Sequence, residues 1–170
     1  MNPDEVDVWI IDSSALIKAK TIVAVNNQWA SFKHLEQMVI EGRIALPRQV
    51  IKEMSEIARP DLPGVWAPGV RGSLQHPLDA DYEYISHVMS IAGDVVDVNK
   101  VSEDADPWVL ALALQVRGDG HSVGIVTEDI VDRNRISIAT ACGRLDIDWC
   151  RMRTFFEHCG IAVLKEDEEG

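Results

Sequence analysis

Short apolar runs along the chain alternate with longer stretches in which apolar residues recur every three or four positions. The runs VDVWII (6–11), DVVDV (94–98) and SVGIVT (122–127) are rich in β-branched residues and predict buried strands. The pieces RIALP (43–47) and IDWC (147–150) predict two further short extended segments.

Helical spacing of apolar residues accounts for most of the remaining chain. Ser13 and Ser14 precede the stretch ALIKA, so a serine is expected to cap the first helix. Residues 61–73 contain several prolines and glycines and predict an irregular surface loop, with Trp66 packed back onto the core. The other predicted helices cover residues 29–39 (with Gly42 as the stop), 49–58, 79–92, 107–117 and 151–159.

The alternation of strands and helices from end to end predicts an α/β fold. We expect a mainly parallel central sheet with helices on both faces, arranged as a three-layer α/β/α sandwich. Residues 1–165 are expected to form one domain, and residues 166–170 a disordered acidic tail. Sites in such sheets form beyond the carboxyl ends of the strands, so the residues that follow each strand are the candidates for function.

Composition is typical of a globular protein, since 46% of the 170 residues are hydrophobic. No apolar stretch is long enough to span a membrane, and the acidic start lacks the features of a signal peptide, so we expect a cytoplasmic protein. The three cysteines, Cys142, Cys150 and Cys159, form no C-x-x-C pair and predict free, buried or partly buried thiols. The five scattered tryptophans are expected to lie mainly in the core.

Acidic residues collect where the predicted strands end. Asp12 follows the first strand, and Glu128 and Asp129 follow the strand SVGIVT. Asp106 opens a helix, and Glu53 lies in the helix after RIALP, where apolar neighbours could turn it inward. Carboxylates that meet in one cleft repel each other, and a divalent cation such as Mg2+ or Mn2+ removes that repulsion. The pattern therefore favours a metal site that can bind and hydrolyse a phosphodiester.

The stretch VSEDADPWVLALAL carries three acids of its own, Glu103, Asp104 and Asp106. Pro107 suits the first position of a helix, which makes Asp106 the expected N-cap, kept ionised by the helix dipole. Glu103 and Asp104 are then expected to be exposed loop acids or groups outside the metal ligands.

Each candidate also has a purely structural interpretation. Asp12 is compatible with a turn or cap residue, Glu53 with a solvent-facing helix residue, and Asp106 with a cap alone. Thr127 is compatible with an ordinary strand residue.

The net charge of −12 disfavours simple electrostatic binding to nucleic acid and is compatible with a basic partner protein. Bound cations would neutralise part of an acidic cluster. Several arginines follow the last acidic stretch, and they either contact phosphates or form a solvated face that balances nearby acids. They are Arg133, Arg135, Arg144, Arg151 and Arg153.

Four stretches in order, IIDSSALI, VIKEM, ADPWVLALAL and GIVTED, resemble the PIN-domain nucleases over residues 8–163. The closest likeness is to the branch grouped with VapC-type toxins of toxin–antitoxin pairs. The resemblance implies that Asp12, Glu53 and Asp106 are metal-binding catalytic acids. It implies Asp129 as the fourth acid by the pattern T-x-D, or Glu128 by the pattern of the A-D-P-W branch.

The resemblance also implies supporting roles for Ser13, beside the first aspartate, and for Thr127. The implied activity is that of a Mg2+- or Mn2+-dependent endoribonuclease, with RNA as substrate, an antitoxin as partner and a homodimer as the assembly. The alternative function is a catalytically inactive PIN-like module that binds a basic partner protein. A phosphate-receiving signalling domain is disfavoured, because paired acids near the start and a lysine after the late strand are missing.

Overall fold

A parallel sheet of four strands forms the centre of the part of the chain described by the computed structural model, which covers residues 1–57, 61–96, 104–131 and 135–169. The strand order is β2-β1-β3-β4, and every neighbouring pair is parallel. The strands are β1 (Val8–Ile11), β2 (Ile44–Ala45), β3 (Val123–Val126) and β4 (Asp148–Cys150).

Helices in the described ranges flank this sheet and complete a three-layer α/β/α sandwich, which confirms the predicted fold class. No helix in those ranges is long and apolar enough to cross a membrane. The helices are α1 (Ser13–Thr21), α2 (Gln28–Ile40), α3 (Arg48–Ile57), α4 (Leu62–Val70), α5 (Tyr82–Ala92), α6 (Asp106–Gly118), α7 (Ile138–Leu145) and α8 (Met152–His158).

The two central strands carry the core of the sheet. All four residues of β1 are buried, as a strand covered on both faces requires. Trp9 lies opposite Gly124 in the β1–β3 ladder, and its ring packs 5.3 Å from that of Phe155. A Cβ atom on Gly124 would lie 2.6 Å from the Trp9 ring, so glycine is the residue that this close contact permits.

The predicted loop at residues 61–73 is wrong, because the chain there forms α4 and a 3-10 turn at Arg71–Ser73. Pro63 lies at the start of α4, where its missing N–H would have no helical partner in any case. Trp66 is buried as expected, and its Nε1 donates to the Phe32 carbonyl oxygen at 3.0 Å. Packing against α2 and α3 therefore outweighs the local breaker signals.

The predicted strand at 94–98 is not formed in its described part. Residues Gly93–Val95 form a 3-10 turn, and positions 97 and 98 lie outside the described ranges. The Asp94 carbonyl accepts from Ile136 N at 3.1 Å, so this backbone bonds to the segment before α7. Helix α7 itself was not predicted, although its cap, Ser137 accepting from Thr140 N, is an ordinary serine cap.

Some surface features also differ from expectation. Trp29 is 67% exposed and is an exception to the prediction that most tryptophans lie in the core, where Trp9 and Trp66 are found. Residues Glu166–Glu168 form a 3-10 turn, and Glu169 pairs with Lys18 and Arg153, so residues 166–169 contact α1 and α8 where a disordered tail was expected. Gly170, the last residue of the predicted tail, lies outside the described residues. The three cysteines are free, as predicted, with two buried and one partly exposed.

Candidate metal site

A cavity of about 510 Å³ opens beyond the carboxyl ends of β1 and β3, where the fold class predicts a site. Serine, isoleucine and arginine side chains contribute to its wall, but acidic side chains dominate. All five carboxylates singled out from the sequence line it, together with a sixth, Asp104. The acidic residues are Asp12, Glu53, Asp104, Asp106, Glu128 and Asp129.

Asp12 is held by hydrogen bonds to both of its carboxylate oxygens. It is the N-cap of α1: its Oδ1 accepts from Ala15 N at 2.8 Å and from Ser14 Oγ at 2.7 Å. Its Oδ2 accepts from Thr127 Oγ1 at the end of β3. The side chain is only 3% exposed, and burial raises the pKa of Asp12 from 3.8 to about 6 against the lowering effect of these hydrogen bonds. Asp12 is therefore both a helix cap and a wall of the cavity.

The expected serine roles change in the structure. Asp12 caps α1 in place of a serine. Ser14 supports Asp12 and also accepts from Glu128 N at 3.1 Å, so it joins the ends of β1 and β3. Ser13, the predicted supporting residue, has a buried Oγ with no hydrogen-bond partner among the described residues. Ser13 and Ser14 are adjacent serines, so the sequence does not tell which hydroxyl group contacts Asp12. The direction in which each side chain leaves the first turn of α1 decides it.

The start of α6 also differs from expectation. Asp106 is the first helical residue, after Ala105 at the N-cap, and Asp104 Oδ1 accepts from Asp106 N at 3.0 Å. Asp104 thus takes the capping role predicted for Asp106. It is 7% exposed and lines the cavity, so it is not an exposed loop acid. Glu103 lies outside the described residues.

The Asp106 carboxyl group is strongly perturbed. Burial, and then the neighbouring Asp104 carboxylate, raise the pKa of Asp106 from 3.8 to about 8, while the Arg135 guanidinium lowers it. Arg135 Nη1 lies 3.0 Å from Asp106 Oδ2, but its N–H is not directed at that oxygen. Oδ2 is therefore buried without a hydrogen bond from the described residues, although it lies close to a positive charge.

Arg135 also pairs with Asp129. Its Nη1 donates to Asp129 Oδ2 at 2.8 Å, and the same oxygen accepts from Ile138 N at 2.9 Å. The Arg135 side chain is 14% exposed, so this arginine balances nearby acids from inside the cavity and not from a solvated face.

The other described arginines that follow the last acidic stretch lie near acids other than Asp106 and Asp129. Arg144 pairs with Asp94, Arg153 pairs with Glu169, and Arg151 is 60% exposed and 3.9 Å from Glu128 Oε2. These three fit the predicted face that balances nearby acids. Arg133 lies outside the described residues.

The two glutamates that line the cavity are each held by a backbone N–H group. Glu53 on α3 points inward, as its apolar neighbours indicated, and its Oε1 accepts from Ala105 N at 3.2 Å. Glu128 Oε1 accepts from Met152 N at 3.3 Å, at the start of α8. Because both Glu128 and Asp129 line the cavity, each stays a candidate for the fourth metal ligand.

The donor chemistry fits a hard divalent cation. Carboxylate and hydroxyl oxygens are the ligands that Mg2+ and Mn2+ prefer, and Asp106 Oδ2 is a buried oxygen that receives no hydrogen bond from the described part of the chain. Within the described ranges, no three acidic, histidine or cysteine side chains are already spaced as a ligand set. The lining residues are therefore of the type that binds such an ion, while the Arg135 guanidinium lies between two of them, Asp106 and Asp129.

Residues 9–163 match the profile of a family described as "Domain of unknown function (DUF4411)". The chain belongs to this family. The match includes every carboxylate of the cavity, so the acidic site lies within the DUF4411 domain. The fold is also similar to the crystal structure of PAE2754 from Pyrobaculum aerophilum, at 15% identity and a TM-score of 0.47 over 90% of this chain and 95% of that chain. No protein with a curated description matches this DUF4411 sequence.

Proposed function

We propose that this protein is a divalent-metal-dependent endoribonuclease that holds Mg2+ or Mn2+ with Asp12, Glu53, Asp106 and Asp129. The observation that carries the proposal is the meeting of six carboxylates from distant segments in one cavity. Burial raises the pKa of two of them, which means that their ionised forms destabilise the fold when no cation is bound. A bound cation would offset that cost at neutral pH.

A divalent cation supplies Lewis-acid chemistry, since it polarises a phosphodiester and lowers the pKa of water. The contribution of the chain is to orient the ligands and to release protons. Ser14 and Thr127 fix both oxygens of Asp12, and Ala105 N fixes Glu53. Because the pKa of Asp106 is about 8, this carboxyl group holds a proton at neutral pH and must release it when a cation binds.

RNA as substrate and a toxin–antitoxin context are supported by the resemblance of four ordered stretches to the PIN-domain nucleases. The net charge of −12 favours a basic partner protein, such as an antitoxin that presents an arginine or lysine to the cavity. On the basis of the same resemblance to PIN-domain nucleases, we also propose that the protein assembles as a homodimer.

The test is a calorimetric titration of Mn2+ into the wild type, Asp12→Asn and the control Asp119→Asn, followed by cleavage assays on single-stranded RNA with and without EDTA. Asp119 is exposed at the end of α6, away from the cavity. We expect saturable Mn2+ binding and cleavage in the wild type and the control, and loss of both in Asp12→Asn. RNA cleavage that persists in Asp12→Asn or in EDTA would refute the proposal.

A second candidate function is a binding module that holds a basic partner without cutting RNA. The observation that favours it is the guanidinium of Arg135 among the carboxylates, which shows that the cavity accommodates an arginine. An arginine-rich peptide that binds the metal-free wild type, combined with absent Mn2+ binding, would favour this candidate. Mn2+ binding that the peptide inhibits would favour the nuclease.

A further inference from the structure

One nitrogen of Arg135 lies among three oxygens inside the cavity. Arg135 Nη1 is 2.8 Å from Asp129 Oδ2, 3.0 Å from Asp106 Oδ2 and 3.0 Å from the carbonyl oxygen of Ile136. The side chains of the arginine and both aspartates are each less than one fifth exposed. The cavity therefore contains a positive charge from the chain itself, placed between two of the proposed metal ligands.

We propose that Arg135 is a built-in competitor of the metal: its guanidinium bridges Asp106 and Asp129 in the metal-free protein, and a divalent cation has to displace it. The inference rests on the proposed function, because it concerns the same carboxylates. It adds that the metal affinity of the site is set by an intramolecular contact as well as by the ligands.

The guanidinium and a metal ion exclude each other for geometric reasons. Mg2+ binds carboxylate oxygens at about 2.0–2.1 Å, so an ion shared by Asp106 Oδ2 and Asp129 Oδ2 would need the space beside these oxygens that Arg135 Nη1 occupies. Asp129 Oδ2 already accepts two hydrogen bonds, from Arg135 and from Ile138 N, and a metal ion needs a lone pair on that oxygen. The positively charged guanidinium and a metal ion bound to the same carboxylates would also repel each other.

Displacement is feasible because Arg135 is attached asymmetrically. Its contact with Asp129 is a directed hydrogen bond, whereas its Nη1 lies 3.0 Å from Asp106 Oδ2 without a directed hydrogen bond. A metal ion that takes Asp106 and Asp129 therefore breaks one directed bond from Arg135 to a carboxylate. The released guanidinium keeps its positive charge close to the place where an RNA phosphate would bind.

The first measurement is the calorimetric Kd for Mn2+ in the wild type, Arg135→Gln and Arg151→Gln. Arg151 is the matched control, since its exposed side chain lies 3.9 Å from Glu128 and the substitution also removes one positive charge near the cavity. We expect Arg135→Gln to bind Mn2+ about tenfold more tightly, which corresponds to about 1.4 kcal/mol. Arg151→Gln should stay within about threefold of the wild type, because exposed ion pairs are weak.

The second measurement follows the guanidinium directly in the wild type. The Nε–Hε signal of Arg135 in 15N NMR spectra, assigned from its loss in Arg135→Gln or Arg135→Lys, should move on addition of Mg2+, with a midpoint that matches a Mg2+ calorimetric titration. The signal of Arg48, which pairs with Asp79 at the surface, should stay unchanged. Because the readout uses the wild type, it decides the question even if Arg135→Gln does not fold.

The outcomes separate the two proposals. If the wild type binds Mn2+ and Arg135→Gln binds it equally or less tightly, the competition is refuted and the metal site stands. The same holds if the wild type binds the metal and the Arg135 signal does not move at saturating Mg2+. Binding in Arg135→Gln without detectable binding in the wild type supports the competition. Absence of binding in both refutes the metal site and the competition with it.

Discussion

Replacing Asp12 by asparagine removes one charge from the cavity with little change in shape. The asparagine Oδ1 can still accept from Ala15 N and from Ser14 Oγ, as the carboxylate does. The amide group then faces Thr127 Oγ1, which has to accept a hydrogen bond in place of donating one. The substitution therefore isolates the cost of ionising a buried carboxyl group.

The magnitude follows from the pKa of Asp12. The folded protein keeps a proton on this group up to a pH of about 6, whereas the unfolded chain releases it near 3.8. Between these values the folded state binds more protons, so this group stabilises the fold fully below pH 3.8, and the contribution is lost as the pH rises through about 6. A tenfold change in acidity corresponds to about 1.4 kcal/mol, which makes the total loss about 3 kcal/mol.

The assay is urea denaturation in EDTA at about pH 4.5 and about pH 7.5, and it gives the free energy of unfolding of each protein. Part of the contribution is already lost at the lower pH, so the wild type should lose about 2 kcal/mol more than Asp12→Asn between the two conditions. Asp119→Asn, at an exposed position, should behave as the wild type does. Equal pH dependence in wild type and Asp12→Asn would refute the argument that burial destabilises the ionised group.

Three further outcomes test the structure. Gly124→Ala places a Cβ 2.6 Å from the buried ring of Trp9 and should lower the free energy of unfolding by about 1–3 kcal/mol in urea denaturation; an unchanged value would contradict the close contact. Ser14→Ala removes the hydrogen bond to Asp12 and should cost about 1 kcal/mol, whereas Ser13→Ala should cost less, and the reverse order would contradict the assigned roles. Mn2+ should raise the melting temperature more at pH 7.5 than at pH 5, because protons compete with the metal for carboxylates; calorimetric scans that show equal shifts would count against carboxylate ligands.

Local patterns predicted most of the sheet and of the acidic cavity. The run VDVWII was predicted as a buried strand because continuous apolar residues suit a strand covered on both faces, and β1 is buried throughout. Asp12 directly follows that strand in sequence, so its place at the sheet edge follows from topology alone. The apolar residues of α3 around Glu53 predicted that its side chain could point inward, as it does in the structure.

Tertiary contacts decided the elements that the patterns missed. Helix α4 contains Pro63, Pro68 and two glycines, which predict a loop locally, but its burial against α2 and α3 stabilises the helix. Helix α7 has the buried spacing Ile138, Ala141, Cys142 and Leu145, a signal that was open to prediction. In contrast, Asp104 was expected to be an exposed loop acid or a group outside the metal ligands, because an acid in a loop is usually solvated, and only the folded chain shows it buried beside Asp106.

The sequence by itself determined the four strands of the sheet, most of the helices and the order of the acids along the chain, because periodicity and strand ends depend on residues that are near neighbours. It also predicted a strand at 94–98 whose described part forms a turn instead. Only the tertiary structure decided that six carboxylates meet in one cavity, that Ser14 and not Ser13 supports Asp12, and that Arg135 lies between Asp106 and Asp129. These contacts join α1, α6 and the segment after β3. Side chains from such distant segments are brought together by the packing of helices on the sheet, which no local pattern encodes.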